Sequence, residues 1–161
     1  MTAVWYLADM KSLAKGLLGI AAFVGLAALS GFVVRQRVPS FGTPDDSRIR
    51  LTAALDGIQF TSVTKDLVDA SALAYLGGIE LDLTRTVPAP GAVVRLRAVL
   101  GGIDVVVPDT WRVEVASRGS MSGIANLTDP DSLHDGPLVV VEAMAFMGGI
   151  EIHARGDSDG S

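Results

Sequence analysis

"YLGGIELDL", residues 75–83, places two adjacent glycines in a run that otherwise alternates like a β-strand. Glycine inside a strand packs nothing and costs conformational entropy, so the pair serves either a ligand or the backbone path. A phosphate-binding loop needs a glycine turn that opens a helix, whose free N–H groups face the anion. Here Gly77 and Gly78 lead into Ile79-Glu80-Leu81-Asp82-Leu83, apolar at every second position, and no G-x-G-x-x-G or glycine loop ending in Lys-Ser/Thr occurs. The pair reads as a bend between strands.

The bend recurs. "LDGIQF" (55–60), "LGGIEL" (76–81), "LGGIDV" (100–105), "MSGIAN" (121–126) and "MGGIEI" (147–152) all carry glycine before isoleucine, at Gly57, Gly78, Gly102, Gly123 and Gly149, spaced by 21, 24, 21 and 26 residues. Three positions before each isoleucine stands a large apolar residue: Leu55, Leu76, Leu100, Met121 and Met147. Five before it, in the last four copies, stand the small residues Ala74, Ala98, Gly119 and Ala145. Nine before it stand Ala70, Val94, Val115 and Val141, and eleven before it Val68, Ala92, Val113 and Val139. Two after the isoleucine the column continues as Phe60, Leu81, Val105 and Ile152, with Asn126 departing, so the fourth copy is the degenerate one. The period of two marks strands with one buried face. Arg95, Arg97, Glu114, Glu142, Glu80, Asp104 and Glu151 take the alternate, wet positions.

Columns of like residues at a repeat of this length describe an all-β solenoid of about five stacked coils over residues 50–155, with corners at 86–92, 108–110 and 128–137. A β-sandwich is the other architecture such strands can build. The stretch "AYLGGIELDLTRT…RLRAVLGGIDVVVPDTWRVEV…MGGIEI" resembles the C-terminal domain of bacterial cell-wall-active antibiotic response proteins, the LiaF-like "toastrack" β-solenoids, over roughly residues 50–154. Gly77, Gly78, Ile79, Glu80, Gly101, Gly102, Ile103, Pro108, Trp111, Val113 and Gly149 carry the resemblance. It implies membrane spans ahead of the domain, a role in envelope-stress sensing, in some members by restraining a sensor kinase, and no catalytic residues. The better-known members have several spans where this chain has one apolar run.

That run, residues 16–34, holds nineteen residues without a charge between Lys15 and Arg35. As a helix it covers roughly 28 Å, so one transmembrane helix is expected there, with a juxtamembrane segment over 1–15. A cleaved signal peptide, ending at "ALS" before Gly31, is the competing reading. Trp5 and Tyr6 suit the membrane interface, and Lys11 and Lys15 against Arg35, Arg37, Arg48 and Arg50 favour a cytoplasmic domain. Residues 35–49 read as a linker, and 156–161 as a disordered acidic tail.

Candidate chemistry is sparse. There is no cysteine, hence no disulfide, thiolate metal site or cysteine nucleophile. A net charge of −5 argues against nucleic acid. Stacked coils bring Glu80 and Asp104 within about 5 Å, a cation site or a screened, splayed pair. Asp129, Asp131, His134 and Asp135 gather in one loop, but Leu133 interrupts the calcium-loop pattern, and turn formation explains them. His134 and His153 are too few for a histidine cluster. Trp111 either packs a corner or touches a partner. No catalytic, cofactor or metal residue is assigned.

The expected protein is thus a membrane-anchored, non-catalytic β-solenoid that binds or scaffolds, in the bacterial cell-envelope stress response. Its expected partners are the lipid bilayer, a protein in the membrane, and further copies through the solenoid ends. The alternatives are an accessory subunit of a larger membrane complex and a self-assembling envelope scaffold.

Overall fold

The computed structural model describes residues 22, 24–26, 28–30, 32, 33, 36, 39–120, 123–128 and 135–155. Ten strands follow one another: β1 (Arg48–Ala54), β2 (Gly57–Thr61), β3 (Leu67–Tyr75), β4 (Gly78–Asp82), β5 (Pro88–Val99), β6 (Gly102–Pro108), β7 (Arg112–Ser120), β8 (Gly123–Leu127), β9 (Leu138–Phe146) and β10 (Gly149–Arg155). Odd strands form one five-stranded parallel sheet and even strands another. Each sequence copy supplies one strand to each sheet, giving an all-β solenoid of about four turns whose five rungs are joined by four connections.

Rungs do not stack in chain order. The sheets run β1-β3-β5-β9-β7 and β2-β4-β6-β10-β8, so the fifth copy lies between the third and fourth. Burial demand explains the exchange. In β10, Ile150 and Ile152 are fully buried and need a rung on both sides, whereas β8 carries Asn126 and leaves Leu127 58% exposed, which suits an end. β8 ends at Leu127 and β9 begins at Leu138, the longest interval between consecutive strands.

The sheets close on a core of Leu, Ile, Val and Ala, including Ile79, Ile103, Ile150, Leu81, Leu96 and Val141. Alanines form the expected small column, Ala53↔Ala74↔Ala98↔Ala145, with Gly119 last. One column shifts. β5 has extra residues at its start, so the pairing slips between Leu67 and Asp69, and Leu67 rather than Val68 takes the fully buried position.

The N-terminal expectation is overturned. No helix among the described residues is long and apolar enough to cross a membrane. Ser30, near the C-terminal end of the expected span, accepts a hydrogen bond from Tyr75 Oη at 2.9 Å. Residues 1–21, 23, 27, 31 and 34, with Trp5 and Tyr6, lie outside the described residues, as does the tail 156–161.

Residues read as linker cap one end of the stack. Phe41 pairs antiparallel with Arg50, exchanging both backbone hydrogen bonds at 2.8 Å, and Ser40 Oγ accepts from Thr52 N at 2.8 Å. The outer edge of β1 is thereby partly covered.

Candidate functional site

The glycine pairs sit in the arches that join the two sheets, and their two members do different work. At the first glycine the backbones of successive arches nearly touch: a Cβ on Gly77 would lie 2.3 Å from Asp56 O, one on Gly101 2.4 Å from Gly77 O, and one on Gly148 2.3 Å from Gly101 O. No side chain fits there. The arches are also hydrogen-bonded rung to rung, with Gly78 N donating to Asp56 O, Gly102 N to Gly77 O and Gly149 N to Gly101 O at 3.0–3.1 Å. Asp56 is tolerated because its arch is the first, with no earlier rung to meet.

The second glycine has no such reason. A Cβ on Gly57, Gly78, Gly102 or Gly123 would meet no heavy atom within 4 Å, and none of these residues has a left-handed φ. What they leave instead is a groove of about 610 Å³ across β2, β4, β6 and β10, floored by Gly57, Gly78, Gly102 and Gly149.

The large residues three before the isoleucine, expected to continue the apolar face, turn outward. Leu55, Leu76, Leu100 and Met147 have φ of 66°, 57°, 55° and 49°, and Leu55, Leu100 and Met147 are 49%, 38% and 51% exposed. A left-handed conformation costs a side-chain-bearing residue about 1–2 kcal/mol. Four arches therefore hold a strained, apolar residue at the crest, and in three of them its N–H continues the sheet: Leu55 N donates to Tyr75 O, Leu76 N to Val99 O and Leu100 N to Phe146 O.

Beside the groove floor, in register, runs Gln59↔Glu80↔Asp104↔Glu151. The sequence brings Glu80 and Asp104 together as expected, and the structure adds their partners. Gln59 Nε2 donates to Glu80 Oε2 at 2.7 Å. His153 Nε2 lies 3.4 Å from both Asp104 Oδ1 and Glu151 Oε2. Asp104 Oδ1 has no hydrogen bond of good geometry, so that histidine is its nearest relief. Sequence reasoning weighed His153 only as a metal ligand; its place two residues after Glu151 on an outer face was the available signal. Among the described residues no group of three or more acidic or histidine side chains is arranged to hold a metal ion.

On the far side of the rungs, the corners form a second cleft of about 550 Å³. Trp111 lines it from within the core, 5% exposed, which places it as corner packing. Of the acidic loop only Asp135 is described, and it is exposed; Asp129, Asp131 and His134 lie outside the described residues.

Comparison with family models, curated proteins and solved structures finds no match. The LiaF-like resemblance therefore rests on the residues quoted for it.

Proposed function

We propose that this chain is a non-catalytic binding module whose arch edge receives an extended or helical polypeptide segment of basic and apolar residues. The observation that carries this reading is the glycine floor. All five copies keep a glycine where neither φ nor space requires one, and the consequence is an open groove. Glu80, Asp104 and Glu151 border it, and the chain carries a net charge of −5, so a cationic partner is electrostatically complementary. Ile58, Ile79 and Ile103 supply the apolar part of its lining, and the strained crest residues Leu55, Leu100 and Met147 expose further apolar surface on the arches. Four rungs at ~4.8 Å span about 14 Å, enough for roughly three turns of a docked helix. The LiaF-like resemblance supports the bacterial cell envelope and its stress response as the setting, since Gly78, Glu80, Gly102 and Gly149 are shared between that motif and this face.

A photocrosslinking residue at Gln59 in cells tests the reading. The double substitution Gly78→Val/Gly102→Val fills open space and leaves the fold intact, and should abolish the crosslinked partner seen with the parent chain; Leu100→Gly, which relieves an arch, should weaken it without loss of stability. Equal crosslinking in all three chains refutes the groove.

A second reading, self-association, is favoured by the unequal ends. The β1 edge is bridged by Phe41, whereas among the described residues β7 pairs only with β9 and β8 only with β10. Unpaired edges recruit further strands.

A further inference from the structure

The corner cleft opposite the arches points to an anion site, and we propose that it binds a phosphate monoester. Lys65, Arg85 and Arg155 line it, brought from the β2–β3 corner, the β4–β5 corner and the end of β10. Among the described residues Asp109 is the one acidic residue in its lining, so the described lining carries a formal charge of about +2 in a chain of −5.

The arrangement is not an incidental scatter of surface charge. Lys65 and Arg85 occupy equivalent corners of neighbouring rungs, stapled by Val87 N donating to Thr64 O at 2.9 Å and Thr86 Oγ1 donating to Ser62 O at 3.0 Å. Two like charges are thus held side by side, which is unfavourable. Acids are plentiful, at 18 against 13 bases, yet among the described residues none lies within ion-pair distance of Lys65, Arg85 or Arg155. Elsewhere the protein does pair such a group: Arg95 bonds both Asp69 and Glu142. Among the described residues Lys65 Nζ bonds the Arg85 carbonyl alone, at 3.3 Å.

The charge selects the ligand class. A phosphate monoester carries about −1.5 to −2 near neutrality, matching the cleft, and its oxygens accept from arginine forks in pairs. A carboxylate would leave a positive excess. The cleft is also larger than a phosphate alone requires, and Val87, 47% exposed, and Pro108 give an organic body an apolar wall. A soluble phosphorylated molecule and a phosphorylated lipid headgroup present the same chemistry.

Trp111, in the cleft lining, serves as reporter in a full-length chain carrying Trp5→Phe. Titration with glycerol phosphate at low salt should shift its emission and saturate below about 10 mM. Arg85→Gln and Arg155→Gln should each weaken binding about tenfold, Lys65→Gln likewise, while Glu80→Gln on the other side leaves it unchanged. These side chains are exposed, and circular dichroism confirms the fold of each variant. Vesicles of phosphatidate against vesicles of neutral lipid separate the sources: binding to phosphatidate vesicles but not to glycerol phosphate assigns a headgroup, and binding to glycerol phosphate assigns a soluble ligand. Failure to bind either, or binding that the arginine variants leave unaltered, overturns the site.

Discussion

A methyl group added at Gly101 lands 2.4 Å from the Gly77 carbonyl oxygen, while one added at Gly102 meets nothing. Two glycines adjacent in sequence thus differ sharply in what they tolerate. Gly101→Ala has no flexible neighbour to push aside, only backbone, and should destabilise the chain by about 3 kcal/mol in urea unfolding. Gly102→Ala should change stability by less than about 0.5 kcal/mol. Equal effects would show that the two positions share one structural role. The same division explains Asp56, whose copy lacks the first glycine. Its carbonyl is approached by the next arch, and its own side chain bonds back, with Oδ1 accepting from Ala54 N at 2.8 Å.

Among the elements, a strand's burial follows its place in the stack. Ile150 in β10 and Ile124 in β8 occupy the same column and register, yet Ile150 is fully buried between two rungs and Ile124 is half-buried against one. Ile150→Ala should cost about 2–5 kcal/mol by calorimetry and Ile124→Ala about 1 kcal/mol. A larger loss at Ile124 would contradict the observed rung order. The sequence made the strands, their inner and outer faces and the glycine arches legible, because a period of two and a repeated bend are local properties. It did not show that the crest residues Leu55, Leu100 and Met147 face outward, since alternation counts them as core and a left-handed φ leaves no trace in hydropathy. Rung order was hinted at by Asn126 and by the longest interval, 26 residues before Gly149, but columns match equally well in either order. The apolar run 16–34 matched a membrane span in length and composition; the bond between Ser30 and Tyr75 is a tertiary contact that no window of hydropathy contains. The cationic corner cleft was equally hidden, its members lying at residues 65, 85 and 155.

For the whole molecule, the ends decide whether one copy meets another. Phe41 and Ser40 occupy the β1 edge of the first end, while at the last end, among the described residues, β7 and β8 each pair with one strand. Light scattering at rising concentration should show association, and Leu127→Lys, which puts a charge on the exposed end of β8, should return the chain to a monomer. A parent chain that stays monomeric at high concentration excludes pairing through this end.

The order β1-β3-β5-β9-β7 also sets a timetable for synthesis. The ribosome delivers β7 and β8 before β9 and β10, while the place beside β5 and β6 belongs to the later pair. During that interval the fourth copy is an available neighbour with the same arch grammar, and a chain that accepted it too firmly would fold into the wrong stack. Its weak pattern, with Ser122 in place of the first glycine and Asn126 in place of an apolar residue, makes it a poor occupant of that place. The irregularity of the fourth repeat thus leaves the place beside β5 and β6 to the later pair, whose Ile150 and Ile152 fill it.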